Sequence, residues 1–168
     1  GGPPPRTFFE TISWEGKLKP GEPLHEGLLS ALNELYKLSI NNCGRQKAYH
    51  MFPVATGMIL RTVYEQTLKL RLNQVKLWGA YCATVPPKSF PTLSGMEGFI
   101  KTGAYKTIVL PKREMVDAFD RVIAASHRDF LNANIHHPGN IRVSPDALEG
   151  IACGGMFYLI QSIIDLLP

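Results

Sequence analysis

The sequence predicts an all-α protein, a bundle of about five helices. Three observations carry that expectation. Apolar residues recur at helical spacing in several separate segments. No segment shows sustained period-two alternation. Proline, glycine and asparagine clusters punctuate the chain at short intervals, as short helix connections require. The length of 168 residues suffices for one domain with a real core, and a chain 45% apolar and 19% charged is in the ordinary globular range.

Residues 1–23 carry five prolines and four glycines around Phe8, Phe9, Ile12 and Trp14. They read as an extended arm whose aromatics dock onto the body, ahead of a bundle over 24–168. The opening Gly1-Gly2-Pro3-Pro4-Pro5 reads as a linker or an expression scar, pointing to a domain cut from a longer parent with other domains. Leu24, Leu28, Leu32, Leu35 and Leu38 define a first helix to about Ser39, ended by Asn41-Asn42-Cys43-Gly44. Ala48 to Asn73 reads as a long second helix with Pro53 at a first turn or kink. It is apolar nearly all round from Val54 to Leu60, hence central, and Gly57 would let a neighbour approach closely.

Leu77 to Val85 gives a short third helix, broken by Pro86-Pro87. Leu93 to Ile108 is read as helical despite Gly95, Gly98 and Gly103. From Pro111, the stripe Met115, Phe119, Val122, Ser126 and Phe130 predicts one helix to about His136. Ser144-Pro145 is a start signal, N-cap then first turn. Leu148, Ile151, Ala152, Gly155, Leu159, Ile163 and Leu166 follow as the stripe of the last helix. Its Ala152-Cys153-Gly154-Gly155 run is small enough for a close helix crossing.

Several chemistries are excluded by pattern. There is no phosphate-binding glycine loop, no HExxH and no GxSxG. Cys43, Cys82 and Cys153 are odd in number and contain no CxxC, so a disulfide framework or zinc site is not expected. Reduced thiols fit a cytoplasmic setting. His136 and His137 project about 100° apart on a helix, which disfavours a shared metal ion. No cofactor is expected. No apolar run of the roughly 18–20 residues that span a bilayer stands out, and no membrane partner is expected. The net charge of +4 permits nucleic-acid binding without demanding it.

The candidate site rests on two polar pairs at i,i+4 spacing, Arg61/Glu65 and Asn132/His136, each on one helix face. Polar groups embedded in apolar helices need partners, and the economical solution is that the pairs meet. His136 has the chemistry of a general acid/base near neutral pH, and Asn132 that of an orienting or phosphate-binding group. Arg128 is a further candidate for holding phosphate, and Glu65 for orienting His136. Separately, Arg61, Lys69, Arg71, Lys76 and Lys88, interleaved with Tyr64, Trp78 and Tyr81, form a basic and aromatic stretch of the kind that holds single-stranded nucleic acid.

With these residues in view, the chain resembles the HEPN (higher eukaryotes and prokaryotes nucleotide-binding) superfamily over roughly 24–167. Phe52–Glu65 looks like its central helix. Leu131-Asn132-Ala133-Asn134-Ile135-His136 followed by Ser144-Pro145-Asp146-Ala147-Leu148 looks like its Asn-x-x-x-His helix end, loop and last helix. The resemblance implies a homodimer, and a place in toxin–antitoxin, phage-defence or stress-response proteins or as an appendage of a larger bacterial protein. Its ribonuclease members carry an Arg four to six residues before the His. Here Leu131 precedes Asn132, and Arg128 lies eight positions before His136. The resemblance therefore implies a degenerate motif and a non-catalytic accessory module. The alternatives are a metal-independent endoribonuclease using His136, or an RNA-binding module.

Overall fold

A computed structural model describes residues 12–136 and 142–168. The sequence signals at Gly1–Pro5, Phe8, Phe9 and His137 lie outside those residues.

The architecture is an all-α bundle with one minor two-stranded hairpin. Helix α1 (Pro23–Ile40) buries Leu28, Leu32 and Leu35 at the predicted spacing. It ends where the asparagines were expected to stop it. There the chain makes an antiparallel hairpin, β1 (Asn42–Cys43) with β2 (Gln46–Lys47), turned through Gly44 at φ 66°. A ladder two residues long leaves no period-two signature, so the hairpin was not foreseen.

The long second helix is divided. A single turn, α2 (Ala48–Met51), precedes α3 (Pro53–Gln74). Pro53 occupies the first helical position, where its missing N–H costs nothing. Helix α3 is the axis of the bundle, packed against α1, α8 and α10. Leu60, Val63, Tyr64, Leu68 and Leu72 are wholly enclosed, and burying each such side chain stabilises the fold by about 1.5–3 kcal/mol. Gly57 does admit a neighbour: a Cβ there would sit 2.6 Å from Nδ2 of Asn134.

The short α4 (Trp78–Cys82) follows. The expected helix over 93–108 is corrected to two pieces, α5 (Leu93–Lys101) and α6 (Lys106–Val109), separated around Gly103. The expected helix from Pro111 to His136 is likewise two, α7 (Arg113–Ala124) and α8 (His127–His136). The break falls at Ala125 and Ser126, the latter a non-glycine at φ 55°. The stripe continued in register across the break, which is why periodicity alone did not reveal it.

The last run starts as read. Ser144 accepts from the N–H of Ala147 through Oγ at 3.1 Å, and Pro145 opens α9 (Pro145–Ile151). A wide π-type turn, Ala152–Met156, then leads into α10 (Phe157–Asp165). The small residues serve the crossing predicted for them, and α7 is the partner. Gly155, at φ 105°, would place a Cβ 2.8 Å from the Ala118 carbonyl oxygen.

Taken as one helical run, Pro145–Asp165 is 21 residues long with mean hydropathy 1.4, long and apolar enough to cross a membrane. This corrects the expectation that no such run exists. More than half of it is buried inside the bundle, as a core helix is.

Residues 12–22 pack on the body. Ile12 and Leu18 join the core, and Trp14 meets Tyr36 of α1 edge-on at 6.1 Å between ring centroids. The Ser13 N–H donates to Gln161 Oε1 at 2.7 Å, and Gln161 Nε2 donates back to the Ser13 carbonyl at 2.9 Å. The arm and α10 are thus joined by a reciprocal pair of bonds.

Candidate functional site

The two polar pairs meet where α3 packs on α8. Arg61 donates through Nε to Asn132 Oδ1 at 2.7 Å and through Nη1 to Glu65 Oε2 at 2.8 Å. Asn132 therefore presents its oxygen to a cation, and Glu65 neutralises that same cation instead of orienting His136. The Arg61–Glu65 pair is about a quarter exposed, 22% and 26%, so it belongs to the rim of the bundle and not to its interior. His136 stands in the last turn of α8, one turn beyond Asn132, with its residue exposed to solvent.

Arg128 takes part in a different network. Its Nε donates to Glu97 Oε1, and its Nη1 lies 3.3 Å from Asp129 Oδ1. The other oxygen of Glu97, Oε2, accepts from the Tyr64 hydroxyl at 2.7 Å. Glu97 is 4% exposed and Tyr64 fully buried. A carboxylate in such surroundings needs both its cation and its hydrogen bonds. Burial, reinforced by the charge and hydrogen bond of Glu97, pushes the Tyr64 phenol far above its ordinary pKa, so it remains the donor. A small cavity of about 130 Å³ adjoins this network, lined by Glu97, Ser126, Arg128 and Asp129 with Val122 and Ile123.

Glu97 was missed by the sequence reading. Its signal was present: Leu93, Met96 and Ile100 form the buried stripe of α5, and Glu97 is the single acid on that stripe. Asn134 was passed over too. It is fully buried, donates through Nδ2 to the Val54 carbonyl at 3.1 Å, and leaves Oδ1 without a hydrogen bond.

The basic stretch is corrected at Arg71. That side chain is 7% exposed and donates to the Val109 carbonyl at 2.8 Å, the Ile108 carbonyl at 3.2 Å and Gln74 Oε1 at 2.7 Å. It satisfies carbonyls left open at the end of α6, where a cation is favourable, so it is structural. Burial lowers its pKa. Lys76 and Lys88 are exposed, and Lys69 lies 5.2 Å from the Trp78 ring centroid. No group of three or more metal-ligating side chains exists among the described residues.

No family model, curated protein or solved structure matches the chain.

Proposed function

We propose that the chain is a HEPN-like helical accessory module of a larger bacterial protein, of the defence or stress-response kind, that pairs with a second copy of itself and does not cleave RNA. The observation that carries the non-catalytic reading is charge compensation at the α3–α8 seam. Two arginines, Arg61 and Arg128, stand among three carboxylates, Glu65, Glu97 and Asp129. Phosphodiester cleavage requires positive charge aimed at the phosphate beside the acid/base. Here each guanidinium already faces a carboxylate, and Arg128 is drawn toward the interior by Glu97.

The pairing is supported by the outer side of α2 and α3. Met51, Phe52, Val54 and Met58 are 48%, 50%, 37% and 38% exposed. Four exposed apolar side chains within eight residues are the kind of surface that interaction sites carry. In contrast, α10 has Leu159, Ile160, Ile163 and Ile164 fully enclosed.

The test of the chemistry is incubation of the purified protein with single-stranded RNA without added metal, beside His136→Ala. The expected result is no breakdown above buffer for either. A wild-type activity that disappears in His136→Ala would establish the ribonuclease alternative, since loss of a catalytic acid/base costs about 10²–10⁴-fold in rate.

A further inference from the structure

The charge of this protein is unevenly distributed. Residues 66–113 hold eight of the 18 basic residues and one of the 14 acidic ones, leaving the remainder of the chain net acidic. That single acid is Glu97, which is buried against Arg128. The segment therefore offers no carboxylate of its own to solvent. Asp120 of α7 reaches its border and pairs with Lys106 at 2.7 Å, and Arg71 is buried. Lys76, Lys88 and Lys101 are exposed and form no salt bridge among the described residues.

The same segment carries a row of rings in contact one with the next. Trp78 and Tyr81 have centroids 5.5 Å apart, Tyr81 and Phe99 5.5 Å, and Phe99 and Tyr105 5.0 Å with planes inclined by only 18°. Lys69 caps the Trp78 end. Tyr105, at the other end, is 37% exposed. Phe90 is 83% exposed, and Thr92, two residues on, is hydrogen-bonded through its backbone N–H and carbonyl to the Tyr81 hydroxyl at 3.2 Å each. Lys76 and Lys88 both have left-handed backbone, φ 60° and 65°. At Lys76 this is the left-handed residue that closes α3, where the Leu77 N–H donates to the Leu72 carbonyl at 2.8 Å.

We infer that the flank built from α4, α5 and α6 is a docking surface for single-stranded nucleic acid, with Lys76, Lys88 and Lys101 meeting phosphates and Tyr105 and Phe90 stacking on bases. Lysines without carboxylate neighbours supply the sequence-independent attraction to a polyanion. Exposed rings suit unpaired bases, whose faces a duplex would hide. An anionic membrane would satisfy the lysines equally. The ring row argues against it, because these aromatics pack on one another and Tyr81 is buried instead of projecting as a wedge. The inference does not use the Arg61–Asn132 contact and stands whether or not the chain pairs with itself.

The test is fluorescence anisotropy with a labelled uridine oligonucleotide of about 12 nucleotides, within the length one such module covers, titrated at stepped salt concentrations. Circular dichroism would verify that each variant is folded. Saturable binding is expected for the wild type. The triple variant Lys76→Glu, Lys88→Glu, Lys101→Glu is expected to lose at least about tenfold in affinity and to show a shallower salt dependence, by about 0.7 in logarithmic slope per lost phosphate contact. The variant Tyr105→Leu with Phe90→Ser is expected to lose about fivefold or more at an unchanged slope, because stacking is not a counterion effect. A charge-matched control on exposed positions elsewhere, Lys19→Glu, Lys37→Glu, Arg45→Glu, is expected to lose markedly less. The proposal is overturned by no saturable binding, by equal losses in the control, by ring variants that bind as well as wild type, or by binding of phosphatidylserine vesicles without binding of the oligonucleotide.

Discussion

Glu97 accepts a hydrogen bond from the Tyr64 hydroxyl and another from Arg128, linking α3, α5 and α8 through one carboxylate. Removing it leaves a buried phenol without its acceptor and a guanidinium without its main counter-charge. Glu97→Ala is therefore expected to lower stability by about 2–4 kcal/mol in urea denaturation. The exposed-rim pair behaves differently: Glu65→Ala is expected to cost about 0–1 kcal/mol, because solvent screens what it loses. The sequence-based expectation put Glu65 in a buried network, whereas the structure leaves its side chain 26% exposed. Similar small losses for both variants would contradict the assignment of Glu97 as a structural keystone. His127 offers a second test at this scale. Its Nε2 is buried without a hydrogen bond, and burial lowers its pKa from the ordinary value, opposed weakly by the Gly154 backbone. The folded state thus prefers neutral imidazole. The stability this contributes is complete above the unfolded pKa near 6.5 and is lost as pH falls through it toward the lower folded value. Unfolding curves of wild type and His127→Gln are expected to diverge in pH dependence below about 6.5, with the wild type losing more on acidification. Parallel profiles would mean that the ring titrates freely in the folded state.

The last helical run depends on its break. Gly155 combines a left-handed φ of 105° with the Ala118 carbonyl 2.8 Å from where a Cβ would lie. Gly155→Ala must adopt a strained backbone and also push α7 away, so a loss of about 2 kcal/mol or more is expected. Gly150, inside α9 with nothing within 4 Å of its Cβ position, should respond oppositely: Gly150→Ala is expected to stabilise by roughly 0.5–1 kcal/mol through helix propensity. Thermal melts of the two variants check both signs. The same run shows what was legible in the sequence. Ser144-Pro145 fixed the start because capping is local chemistry, and the small cluster 152–155 correctly signalled a close approach. That this approach would bend the helix depends on where the α7 backbone lies, and no local signal carries that. Ser126 is similar: it takes the left-handed conformation just past the end of α7, for which serine has no particular preference. At the candidate site, the Arg61–Asn132 contact was legible from spacing within two apolar helices. The diversion of Arg128 to Glu97 was not, because it joins residues 31 positions apart through a helix that was read without its one buried acid.

At the scale of the whole molecule, the bundle closes its chemistry and leaves a face open. The central helix was expected to be apolar nearly all round, and the structure covers it with α1, α8 and α10. The exception is the Met51–Met58 end, where Phe52 is half exposed and Val54 and Met58 lie one turn apart. An isologous contact would set this face against its own copy, the simplest symmetric way to cover it. Under the function proposed above, the protein works by association with a second copy of itself. Sedimentation equilibrium of the purified chain at high micromolar concentration tests it most directly. The predicted result is a species of twice the 18.7 kDa chain mass, returning to a folded monomer in the variant Val54→Glu, Met58→Glu, whose substitutions replace exposed side chains only. A wild type that remains monomeric at that concentration, or a variant that dimerises as well as wild type, would contradict it.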